Sequence, residues 1–231
     1  MTGERFEIPV EAAKIAEVSA VFDEHGGARR ESAILLAHGA GFSMDAPWMT
    51  TVAHGLRDRG FDVLRFNYPY RERAEREGRQ RPPDRAEILE RAHSTALGVL
   101  RERVGGRRIL LAGKSMGGRM STHLAAKGDD CAGLVLFGYP LHAPGRTDKL
   151  RYEHFAAIAQ PALFLQGTRD KLCQLDLLEE CLKKYGGKAT VEVIEDADHG
   201  FHVRKASGRT DAEVLERMLD RIGEWDGEVF P

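Results

Sequence analysis

The chain has 231 residues, 42% of them hydrophobic and 30% charged, with a formal net charge of −2. That length and balance suit one globular unit, residues 1–231, with a sizeable core. The near-neutral charge offers no footing for nucleic acid and no acidic solvating tail.

In chain order, Met1–Phe6 lacks a basic stretch leading into an apolar run, so no secretory signal is expected. Phe6–Val10 and Ile15–Phe22 read as antiparallel edge strands. Ala33–Ala37 is apolar throughout and ends at His38-Gly39; Phe61–Phe66, Ile109–Ala112, Gly133–Phe137, Ala162–Leu165 and Val191–Ile194 follow. Strands apolar throughout suit a mainly parallel sheet buried on both faces. Between them Met49–Arg59, Asp84–Val104, Met116–Lys127, Leu175–Tyr185 and Thr210–Trp225 carry helical periodicity. Strand–helix alternation predicts a doubly wound α/β sheet with right-handed crossovers. No apolar run approaches the roughly 18 residues that cross a bilayer, so no membrane contact is expected. The odd set Cys131, Cys173 and Cys181 lacks metal-ligand spacing, which points to a reduced, cytoplasmic protein.

In an open α/β sheet, ligands bind beyond the carboxyl ends of the strands. Gly113-Lys114-Ser115-Met116-Gly117-Gly118 sits there, a G-x-S-x-G between a strand and a helix. A serine on so sharp a turn needs small neighbours, and the helix N-terminus favours developing negative charge. A phosphate loop would need a glycine where Arg108 stands, so that reading fails. Ser115 is therefore the candidate nucleophile. A serine needs a base, and the base an orienting acid. His199 follows the last strand and precedes the last helix, with His202 as its local competitor. Asp170 follows Ala162–Gln166 across Gly167-Thr168-Arg169. A metal set of Asp196, Asp198, His199 and His202 is the weaker reading, having no H-E-x-x-H or Cys/His cluster behind it. Two backbone N–H groups should stabilise the oxyanion formed on attack. Met116 supplies one; Ala40, with Gly41 as near alternative, supplies the other from the His38–Phe42 loop, which His38 braces.

Taken together these residues resemble the α/β-hydrolase superfamily over nearly the whole chain. More narrowly, His38-Gly39-Ala40-Gly41, Arg65–Tyr70 and Gly113–Met120 are similar to small hydrolases near the dienelactone hydrolases, a group that includes relatives of a eukaryotic histone-acetyltransferase-complex subunit. Dienelactone hydrolases proper use a cysteine where this chain has Ser115. The resemblance implies an α/β-hydrolase fold without a large cap, and a Ser115–His199–Asp170 triad in the family's chain order. The family's other usual place for the acid, after Phe137, holds Gly138-Tyr139-Pro140 and no carboxylate.

The leading functional expectation is hydrolysis of a small-molecule carboxylic ester through acyl-Ser115, with no cofactor and no metal. A thioesterase or amidase would use the same groups. A non-enzymatic interaction module on the same scaffold is the other class, since fold does not dictate function. Gly41, Phe42, Tyr68, Tyr139 and His142 are expected substrate contacts, the last two from a flap within Gly138–Pro161. Arg71–Arg85, with six arginines and four acids, reads as a solvated charged loop and secondarily as an anion contact at the rim.

Overall fold

The computed structural model describes residues 3–12 and 15–231; Met1 and Thr2, where the N-terminal reading begins, lie outside them. Among the described residues eight strands form one sheet: β1 (Glu4–Ala12), β2 (Ile15–Asp23), β3 (Ser32–Ala37), β4 (Asp62–Phe66), β5 (Arg108–Lys114), β6 (Gly133–Phe137), β7 (Ala162–Gly167) and β8 (Ala189–Ile194). Their spatial order is β1-β2-β4-β3-β5-β6-β7-β8. The first two strands pair antiparallel, β2 meets β4 antiparallel, and every later pair is parallel.

The helices are α1 (Pro47–Asp58), α2 (Pro69–Glu77), α3 (Ala86–Val104), α4 (Met116–Ala126), α5 (Leu175–Leu182) and α6 (Asp211–Val229). Side chains alternate across a strand, so β3 feeds both faces. Leu35 joins a core with Leu97 and Leu100 of α3 and Leu124 of α4. Ile34 and Leu36 join the opposite core with Val52 and Leu56 of α1 and Ile222 and Trp225 of α6. Burial on both faces is why these strands are apolar throughout.

One element departs from expectation. Residues 69–77 are helical rather than part of a charged loop. Pro69 occupies the first turn, where its missing N–H costs nothing, and Gly78 ends the helix at φ +64°. The pairs Arg71–Glu75 and Glu72–Arg76 lie one turn apart on its surface. Only Pro69, Tyr70, Glu72 and Ala74 are buried in it, so no apolar stripe announces it. Glu72 is buried because it receives Ser19 N (3.2 Å), Ser19 Oγ (3.2 Å) and Asn67 Nδ2 (3.2 Å). Between β6 and β7 stands one 3-10 turn, Phe155–Ala157, and no large cap.

Where the antiparallel and parallel parts meet, Arg65 of β4 is buried against Asp23 of β2 (Nε–Oδ2 2.8 Å), and its Nη1 donates to Met44 O (2.6 Å). The side chains are 4% and 0% exposed. Removing Asp23 leaves the buried guanidinium with only the longer contact to half-exposed Asp45 (3.7 Å). Asp23→Ala should therefore lower stability by about 3–5 kcal/mol, read as a fall in the urea midpoint with unchanged slope.

Candidate active site

Ser115 sits where β5 passes into α4, with φ +51° and ψ −113°. A non-glycine residue at positive φ is strained, and the surroundings must hold it there. Ser115 N donates to Phe137 O of β6 (3.0 Å), and Ser115 O receives Arg119 N (3.0 Å). The glycines allow the turn to close. A Cβ on Gly117 would lie 2.3 Å from Ala37 O, and one on Gly113 would lie 2.3 Å from Gly118 N.

His199 follows β8 on an irregular loop and reaches Ser115 from across the sheet edge. Its Nε2 lies 2.9 Å from Ser115 Oγ, and its Nδ1 lies 2.7 Å from Asp170 Oδ2. An ionised carboxylate only accepts, so Nδ1 carries the proton and Nε2 is free to accept from the serine hydroxyl. Asp170 follows β7, its side chain fully buried. Besides His199 it receives Gln166 Nε2 (2.7 Å) and Leu172 N (2.7 Å), which fix its orientation.

The competitors point elsewhere. His202 pairs with Asp211 (2.6 Å) at the surface, and that hydrogen bond raises its pKa. Asp198 accepts Gly200 N (2.8 Å) and His202 N (3.0 Å). Asp196 takes Arg204 Nε (2.6 Å). Among the described residues no three His, Cys, Asp or Glu side chains gather as metal ligands. The three cysteines are buried free thiols, and no helix among the described residues is long and apolar enough to cross a membrane.

Beside Ser115 opens a cleft of about 370 Å³. Ala40 and Met116 line it, whereas Gly41 does not. The Ala40 loop is braced from below. Tyr70 Oη donates to Ala40 O (2.9 Å), and His38 Nδ1 faces Gly39 O (2.8 Å). His38 Nε2 accepts Tyr68 N (3.1 Å), so Nδ1 is the protonated nitrogen. Burial lowers the His38 pKa to about 4, keeping it neutral. It braces the loop, as the sequence suggested.

Three expected substrate contacts are corrected. Tyr68 and Tyr139 are 0% exposed and His142 2%. The Tyr68 hydroxyl meets His93 Nδ1 (3.0 Å), Tyr139 Oη donates to Arg151 O (2.7 Å), and His142 Nδ1 faces Ala143 O (3.0 Å). The two tyrosine hydroxyls are thus taken up in holding the loops, while His142 Nε2 is buried without a hydrogen-bond partner. Phe42 stacks toward Trp48 at 6.4 Å and lines no wall of the cleft. The wall is built instead by Pro140, Ala143 and Pro144 after β6, and by Pro83 and Asp84 ahead of α3. Both segments suspected of approaching the site therefore do so.

Lys114 had no assigned role, yet it lies directly beneath His199. It is 3% exposed. Its Nζ donates to His199 O and sits over the rings of Phe201 (4.9 Å) and Trp48 (5.8 Å). Burial lowers its pKa to about 8, opposed by the charges of Asp170 and Asp198. A motif position written as "any residue" carries no sequence signal for such a role.

The alpha/beta hydrolase domain family matches residues 30–226. The chain belongs to the α/β-hydrolase family. Its fold is similar to that of an α/β serine hydrolase homologue from Coxiella burnetii, at 22% identity and TM-score 0.74, covering 96% of this chain and 98% of that one. It is also similar to a serine hydrolase without lid from Xanthomonas campestris (19%, TM-score 0.73, 97% and 95%). A dienelactone hydrolase from Anabaena variabilis matches at 19% and TM-score 0.75, over 99% of both chains. Identities this low speak for the fold alone. The lid-less relative accords with the short β6–β7 connection of this α/β-hydrolase.

The Lys114 burial yields a pH signature. The folded chain favours the neutral amine, so between about 8 and the ordinary 10.5 it binds fewer protons than the unfolded chain. The stability contribution of this group therefore rises with pH across that window. Lys114→Met should gain about 1–2 kcal/mol at pH 7, after loss of the bond to His199 O, and the gain should shrink toward pH 10.5. Urea unfolding of both proteins at pH 7 and pH 9.5 checks this.

Proposed function

We propose that this α/β-hydrolase is a serine hydrolase that cleaves a carboxylic ester or related acyl bond through an acyl-Ser115 intermediate. The observation that carries the reading is the continuous relay from Ser115 Oγ to His199 Nε2 (2.9 Å) and from His199 Nδ1 to Asp170 (2.7 Å). Its support from relatives is that solved neighbours include an esterase from Pyrococcus furiosus and the Anabaena variabilis dienelactone hydrolase.

In this mechanism Ser115 Oγ attacks the acyl carbon as its proton passes to His199 Nε2. The imidazolium is stabilised and kept in orientation by Asp170, which stays ionised. Negative charge on the former carbonyl oxygen is met by the N–H groups of Ala40 and Met116, both on the cleft wall beside Ser115. The α4 N-terminus adds its positive end to the same point. His199 returns the proton to the leaving oxygen, and the alcohol departs. Water then enters, gives its proton to His199, and attacks the acyl carbon; Ser115 Oγ leaves and recovers the proton. Thioesters and amides would pass through the same steps, differing in the leaving atom.

A fluorophosphonate probe tests the nucleophile directly. Wild type should label and Ser115→Ala should not; folded wild type that fails to label would count against the reading. Steady-state assays with short 4-nitrophenyl esters give the second check. Asp170→Asn should keep the fold but lower kcat by about 10⁴-fold, because the histidine loses its orienting acceptor.

A further inference from the structure

The cleft at Ser115 does not end at the proposed catalytic groups. Arg119 and Arg151 also line it. A second cleft of about 490 Å³ opens beyond them and shares Arg119, Ala143 and Arg151 as common wall. Arg146 and Lys149 stand on the outer side of that second cleft. The path from Ser115 outward therefore runs past two guanidinium groups.

These two arginines differ from most in the protein. Arg59, Arg65 and Arg107 each rest on a carboxylate. Among the described residues Arg119 has no ion pair, and its Nε is buried without a hydrogen-bond partner. Arg151 donates from Nη1 to Pro140 O (3.2 Å) and meets no carboxylate among the described residues. Burial, and then the Arg119 charge beside it, hold its pKa below the usual arginine value. Two like charges are held together with no acid between them.

The acids nearby do not neutralise the pair. Asp84 lines the Ser115 cleft; its Oδ1 is bound by Arg73 (2.5 Å), and its Oδ2 is buried with no hydrogen-bond partner and makes no ion pair with either arginine. Glu153 lies on the exposed side of the outer cleft. Arg146 is occupied by Asp148 (3.0 Å). Glu90, behind the outer cleft, is bound by His123 and Lys127. The arginine-rich 71–81 stretch is likewise matched by its own glutamates, as in Arg71–Glu75 and Arg81–Glu77.

Resting on the serine-hydrolase reading above, we infer that the substrate carries an oxyanion, a carboxylate or a phosphate, held by Arg119 and Arg151 beside the scissile acyl bond. The guanidinium fork presents paired N–H donors that fit both groups, and a ligand anion supplies the missing counter-charge. The spacing suits this. Arg119 is the fourth residue after Ser115, a little over one turn or about 6 Å along α4, and helical side chains lean back toward the N-terminus, here toward Ser115. The anion is thus a short chain away from the carbon under attack. Pro140, Ala143 and Leu172 provide apolar wall for that chain.

The test compares mono-4-nitrophenyl adipate with 4-nitrophenyl hexanoate, placing the charge on the acyl side. A second pair, 4-carboxyphenyl hexanoate and phenyl hexanoate, places it on the alcohol side. In wild type the anionic member of one pair should be favoured in kcat/KM by about tenfold or more, as expected for a charge-assisted contact. The ratio should collapse toward one in Arg119→Gln and Arg151→Gln and survive in part in Arg119→Lys. Calorimetry of adipate and of inorganic phosphate on Ser115→Ala reads the same subsite without turnover and tells carboxylate from phosphate. Adipate or phosphate binding that Arg119→Gln abolishes upholds the subsite even if no ester is cleaved, in which case only the catalytic reading falls. Active wild type with equal kcat/KM within both pairs, or Ser115→Ala that binds neither adipate nor phosphate, overturns the inference.

Discussion

The close approach of three backbones at the β5–α4 turn is the constraint on which the site depends. Gly117 packs against Ala37 O of β3, and Gly113 against the first turn of α4. Only that approach lets the helix start at once after the strand. Ser115 is then left at φ +51°, a conformation that costs on the order of 1–3 kcal/mol and survives because hydrogen bonds on both sides determine it. The strain has a purpose in geometry. It brings Oγ within reach of His199 Nε2 and sets the next turn of α4, with Arg119, on the cleft wall.

Around this turn the charges are arranged in layers. Asp170 is buried yet receives three hydrogen bonds, so its negative charge is held without a directly paired cation. Lys114 lies below His199, fastened to its carbonyl and flanked by aromatic rings. His38 is kept neutral by burial and works as a strut between Gly39 and Tyr68. Ionisable groups around the same site thus play different parts, and the difference comes from what each side chain touches.

Some of this was readable from the chain in order. Continuous apolar runs separated by helical periodicity announce a sheet buried on both faces, because period and burial are local properties. The relative places of Ser115, Asp170 and His199, each just after a strand, follow from that alternation. α2 was not readable, since its helix rests on Arg–Glu pairs and on a buried Glu72 whose partners, Ser19 and Asn67, lie in other elements. Tyr68, Tyr139 and His142 were misread for a related reason. An aromatic or histidine near a site looks the same in sequence whether its polar tip faces a ligand or a neighbouring backbone.

The sequence by itself determined the strand–turn–helix at Ser115, the sheet class and the candidate catalytic order, all of which follow from spacing and from glycine's small size. The tertiary structure alone decided which groups meet. It turned His202 toward Asp211, set Lys114 under His199, and left Arg119 and Arg151 on one cleft wall with no ion pair among the described residues. Such pairings depend on side chains brought together from segments far apart in the chain, and a linear pattern carries no record of that distance.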